Sequence, residues 1–139
     1  MALITWNDSL SIGVAEIDRQ HQKIIGMING LDNALRAGRE ADIISEIIDG
    51  LIIYTATHFR IEEGYFSKFS YSDAAQHKEE HAAFIAKVRD LTTEFTRGSG
   101  TGQAALGRKI MSFLSEWWRA HILETDMKYV RLFNENGLK

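Results

Sequence analysis

The 139-residue chain contains no cysteine and no proline. Without cysteine there are no disulfides, thiolate metal ligands, iron–sulfur clusters or thiol nucleophiles, so any metal chemistry falls to imidazoles and carboxylates. Without proline, nothing obliges a helix to break in its interior. Long apolar runs are missing too: no stretch of about 18 apolar residues is present to span a bilayer. The opening MALITWNDSLSIG has neither the basic start nor the continuous apolar stretch of a secretory signal. Charge of one sign is scarce as well. The formal net charge is −3 with both signs mixed along the chain, which speaks against nucleic acid and against membrane insertion. A cytoplasmic protein is expected, with one domain that buries roughly two-thirds of the surface its unfolded chain exposes.

Strand-like alternation of apolar and polar residues is the last absence. What is there instead is a spacing of four and three. Ile17, His21, Ile24, Ile28, Leu31 and Leu35 make one such stripe, and Ile44, Ile48, Leu51, Thr55, His58, Glu62, Tyr65 and Phe69 a second. His77, His81, Phe84, Val88, Leu91 and Phe95 make a third. Leu106, Ile110, Phe113, Trp117 and His121 begin a fourth, which resumes with Asp126, Tyr129 and Phe133. Residues so spaced share one helix face. Four helices are expected over about 16–37, 41–69, 73–97 and 103–134, after an arm of about residues 1–15. The glycine-rich RGSGTG reads as the loop before the fourth helix. Helices of this length joined by short turns pack most simply as an all-α, up-down-up-down antiparallel four-helix bundle.

All five histidines stand on these inward stripes. If inward positions are about two in seven, five independent histidines would all land there roughly two times in a thousand. Four of them fall in short motifs, His58-x3-Glu62, His77-x3-His81 and His121-x4-Asp126. Residues one helical turn apart point the same way, so such a pair can grip one ion from a single helix. A buried polar network without metal would leave many imidazole and carboxylate atoms unsatisfied, at a cost that a metal pair removes. Glu63, Glu79 and Glu80 read as solvated helix faces. Trp117 and Trp118 precede His121 by four and three residues and serve as packing or as the wall of a ligand pocket.

One gap does not fit an ordinary helix. Five residues separate His121 from Asp126, which turns an ideal helix by about 500° and leaves the side chains about 140° apart. A π-bulge would aim both inward, and such bulges favour functional sites. On spacing alone Glu124 competes with Asp126 as the inward carboxylate.

These residues resemble the hemerythrin family over nearly the whole chain, so 1–139 reads as a single domain of that kind. Three blocks carry the resemblance: WNDSLSIGVAEIDRQHQKI with Asp18 and His21, HFRIEE followed by His77-x3-His81, and WWRAHILETD. The resemblance implies a bundle that holds two non-haem irons, bridged by an oxo or hydroxo group, and binds dioxygen reversibly at one of them. It implies His77, His81 and His121 on one iron, His21 and His58 on the other, and Glu62 and Asp126 as bridging carboxylates, which selects Asp126 over Glu124. Counting ligands then gives six at the first iron and five at the second, leaving a place there for a small ligand. Asp18, one turn before His21, reads as a second-shell acceptor or as a cap for the first helix.

Helical adjacency marks Ile24, Ile25, Phe59, Phe84, Trp117, Trp118 and Ile122 as candidate walls of the oxygen pocket. The family usually carries an aliphatic residue, often leucine, where this chain has Trp118. The expected function is carriage, storage or delivery of oxygen by a monomer, not an enzyme activity. Sensing of oxygen or nitric oxide, and di-iron oxidase or peroxidase chemistry, are the alternatives. Ferritin-like oxidases are marked by Glu-x-x-His, which does not occur here. Sensing would need a separate partner, since only about a dozen residues lie ahead of the first helix.

Overall fold

A helix with one apolar stripe is stable only when that stripe is pressed against others. In the computed structural model, which describes residues 4–97 and 102–139, four stripes meet in an antiparallel bundle. Its members are α1 (Ala15–Arg36), α2 (Ala41–Lys68), α3 (Ala74–Arg97) and α4 (Gly102–Ala120). Each packs on the next, and α1 returns against α4 to close the ring. Four residues of the RGSGTG segment, 98–101, lie outside the described residues. Among the described residues no helix is long and apolar enough to cross a membrane.

The connections are tight where they can be seen. Gly38 turns α1 with φ 69°, and the Arg39 N–H reaches back to the Ala34 carbonyl at 3.1 Å. Ser70 turns α2 in the same left-handed conformation, φ 55°, with the Tyr71 N–H on the Phe66 carbonyl at 2.9 Å. Both are the left-handed helix stop that frees the chain to double back. Ahead of α1, the arm carries a 3-10 turn, Asp8–Leu10, and buries Ile4, Leu10, Ile12 and Val14 in the core. Asn29 of α1 clasps Ile4 through both backbone groups, at 3.0 and 2.7 Å.

The last element departs from a plain helix to 134. After α4 come a π turn, His121–Thr125, a 3-10 turn, Asp126–Tyr129, and α5 (Val130–Glu135). The Asp126 N–H bonds the His121 carbonyl five residues back, so the wider turn absorbs the extra residue as the spacing required. The inward face of α4 also differs from the expected stripe. Met111, Leu114 and Trp118 are buried, whereas Phe113 and Trp117 are half-buried. Those two turn toward α3 instead, where both rings lie against Phe84. On α2, Phe66 is buried, while Tyr65 and Phe69 are half-buried.

Antiparallel order decides where the polar residues collect. His21 is early in α1, His58 and Glu62 are late in α2, His77 and His81 are early in α3, and His121 follows α4. All therefore belong to one end of the bundle. The other end is filled by Ile28, Leu31, Ile44, Ile48, Leu91, Phe95 and Ile110, each contributing on the order of 1.5–3 kcal/mol by leaving water.

Candidate metal centre

The histidines and carboxylates converge into two buried groups. One is Glu62, His77, His81 and His121; the other is His21, His58, Glu62 and Asp126. Within each, the ligand atoms lie within 4.8 Å of one another. Nε2 of His121 is 3.3 Å from Nε2 of both His77 and His81. Asp126 spans the groups: its Oδ1 is 3.0 Å from His121 Nε2 and 3.2 Å from His77 Nε2, while its Oδ2 is 3.1 Å from His21 Nε2. Glu62 is common to both, with Oε1 at 3.2 Å from His58 Nε2 and 3.4 Å from His81 Nε2. The Tyr129 hydroxyl donates to its other oxygen at 2.5 Å. Asp126 is fully buried and Glu124 is exposed, as the π turn dictates.

Among the described residues many of these inward atoms have no hydrogen-bond partner: His21 Nε2, His58 Nε2, Glu62 Oε1 and both Asp126 oxygens. Each buried polar atom left so costs about 1–3 kcal/mol, more if charged. Lone pairs converging from imidazoles and carboxylates are what a divalent cation of borderline hardness satisfies, so the residues fit a metal. The electrostatics agree. Burial and the Asp126 carboxylate push Glu62 up, but the imidazoles of His58 and His81 close to it outweigh them and hold it down to about 2. Burial likewise pushes Asp126 up, and the imidazoles of His121, His21 and His77 around it bring it well below the usual carboxylate range. Both carboxylates are thus kept in the charged form that a cation needs. Burial, then the Asp126 and Glu62 charges, raise Tyr129 well above the usual phenol value, so it stays a donor.

Aromatic rings wall the groups. Phe59 stacks on His81 with centroids 3.7 Å apart, and Trp117 on His121 at 4.3 Å. Trp118 sets its indole 5.9 Å from His21 and 6.0 Å from His58. Phe84 packs behind, against Trp117, Trp118 and Phe59. Ile24, Ile25 and Ile122 are buried in the same core.

Residues 12–133 match the Hemerythrin HHE cation binding domain. The chain belongs to the hemerythrin family. A bacteriohemerythrin of Pseudomonas aeruginosa strain LESB58 is 36% identical over 130 residues, covering 94% of this chain and 81% of that protein. A hemerythrin-like protein of Naegleria gruberi is 32% identical over 124 residues, 89% of this chain and 88% of the relative. A crystal structure of wild-type hemerythrin superposes with a TM-score of 0.82 at 31% identity, covering 94% of this chain and 98% of that one.

Within this hemerythrin-family bundle, several residues around the imidazoles escaped the sequence analysis. Glu63 and Glu80 are not merely solvated faces: His81 Nδ1–H donates to Glu63 Oε2 at 2.8 Å, and Glu80 Oε2 is 3.5 Å from His121 Nδ1. Gln20 Oε1 meets His58 Nδ1 at 2.5 Å. Tyr129 stands on an apolar stripe in the sequence, where nothing marks its hydroxyl as the donor to Glu62. Spacing on one helix gives no signal for a partner on the next, which is where each of these acts. Asp18 turns away from His21, accepting from Ser11 Oγ at 2.5 Å and the Ile12 N–H at 2.9 Å, so it ties the arm to the start of α1.

Proposed function

We propose that the chain holds two iron ions at this centre and binds dioxygen reversibly at one of them, as a carrier, store or deliverer of oxygen and not as an enzyme. The observation that carries this reading is the uneven sharing of imidazoles, three and two, between groups joined by Glu62 and Asp126. In it His77, His81 and His121 hold one iron, His21 and His58 the other, and the two carboxylates bridge them. The group with two imidazoles has one ligand fewer and so keeps a position for a small ligand. When bound, the paired irons supply the electrons that hold dioxygen and take them back on release.

The chain's own task is positioning and exclusion. Glu62 and Asp126 are already ionised, so no side chain has to lose or gain a proton to serve as a bridge. Phe59, Phe84, Trp118, Ile24, Ile25 and Ile122, with Trp117 at the edge, form an apolar shell that keeps out the water and protons that would leave the irons oxidised and inert.

The test is anaerobic loading with Fe(II), iron counting, and optical spectra through repeated additions and removals of oxygen. Two irons per chain and a charge-transfer band that appears and vanishes are expected. A one-way change with oxygen consumed would sink the carrier reading and favour an oxidase. In the same assay Asp126→Ala is expected to lose the two-iron centre and the exposed Glu124→Ala to keep it.

A further inference from the structure

All five imidazoles turn Nε2 or its neighbourhood toward the centre, and the company kept by their outward Nδ1 atoms is unequal. In the three-histidine group His81 donates to the Glu63 carboxylate at 2.8 Å, and the Glu80 carboxylate stands 3.5 Å from His121. His77 Nδ1 has no partner. In the two-histidine group His58 faces the neutral amide of Gln20 at 2.5 Å, and His21 Nδ1 has no partner. Both carboxylates reach across from an adjacent helix, Glu63 from α2 to α3 and Glu80 from α3 to the π turn. Both are half-buried, so water screens them only in part.

A carboxylate that accepts from an imidazole N–H fixes the ring's orientation and makes the far nitrogen a stronger base. Losing such a partner typically costs about 10–100-fold in metal affinity. A neutral amide fixes the ring but adds no charge. Among the described residues two anions therefore back one group and none backs the imidazoles of the other.

We propose that Glu63, with Glu80 in support, makes the His77–His81–His121 position the tighter of the two metal positions and the one that fills first. This rests on the two-metal reading above. Glu63 is the stronger of the pair because its contact is a full hydrogen bond, whereas Glu80 acts through charge at longer range.

The test is titration of Co(II) into metal-free protein against a competing chelator, followed by its visible absorption, with helicity and thermal unfolding of each variant as the check on folding. Wild type is expected to fill in two separable steps. Glu63→Gln keeps an acceptor but removes the charge, and is expected to weaken the first step about 10-fold with the second unchanged. Glu80→Gln should weaken the first step less. Gln20→Glu places a carboxylate behind His58 and should tighten the second step, drawing the two together, whatever becomes of the Glu63 variant. Glu79→Gln, on the exposed side of α3, should move neither. A first step indifferent to Glu63→Gln, or a second step that weakens in its place, would overturn the proposal. Fewer than two Co(II) per wild-type chain would overturn the two-metal reading itself.

Discussion

Trp118 buries its whole side chain yet leaves its indole N–H without a hydrogen-bond partner among the described residues. It does so against the rings of His21 and His58, the group with fewer imidazoles. Two effects can be separated there. Trp118→Phe keeps a ring and removes the unpaired donor, and should change the stability of the metal-free protein by under about 1 kcal/mol, since the lost packing and the relieved N–H oppose each other. On the proposed oxygen-carrier reading, Trp118→Leu is expected to alter oxygen release or autoxidation rates while both irons stay bound. Stopped-flow release and spectral decay in air check this; rates equal to wild type would return Trp118 to a packing role. At this scale the sequence was informative where a residue type is expensive to bury. Histidine, glutamate and aspartate on apolar stripes are conspicuous because each needs a partner. Glu63 and Glu80 were not, because acidic residues beside a helix stripe are usually solvated, and only the position of the next helix shows otherwise.

Among the helices, the stop after α2 is built on a residue that strains it. Ser70 takes the left-handed conformation that glycine takes at Gly38. A side chain there costs about 1–2 kcal/mol, while glycine's greater freedom in the unfolded chain returns about 0.4–1 kcal/mol. Ser70→Gly should therefore stabilise the protein by about 0.5–1 kcal/mol, read by chemical denaturation, with metal content unchanged. The π turn shows what periodicity can and cannot reveal. A five-residue gap between two residues that must both face inward demanded an irregular turn, and the irregular turn is present at His121–Thr125. The inward face of α4 was misjudged over Phe113 and Trp117, because aromatic residues fit an apolar stripe equally well when they lie between two helices. That choice is made by Phe84 on α3, not by anything within α4.

For the bundle as a whole, the charges at its centre set a pH window. Glu62 is held down from 4.5 to about 2, so it stabilises the metal-free fold above pH about 4.5, and that contribution is lost as the pH falls toward about 2. His121 is raised above 6.5, so its contribution is complete below pH about 6.5 and disappears as the pH climbs through its folded value. Denaturation of metal-free protein should accordingly show a maximum between these limits. A bound metal replaces the proton on His121, so loading should remove the alkaline decline and leave the acid one. A decline of equal size with and without metal would contradict the arrangement of charges described here. All-helical architecture was legible from four one-sided stripes and an absence of proline. Their antiparallel order followed from short connections, and with it the gathering of histidines at one end.

The inward carboxylates and imidazoles come from four parts of the bundle: one from α1, two from α2, two from α3 and two from the segment after α4. No helix can fray at that end of the bundle without withdrawing one or two of them. An ion held there can escape only during such a breath, so its rate of loss to a chelator becomes a clock for the local opening of that end of the bundle. The apolar far end, which holds no ligand, keeps its own time.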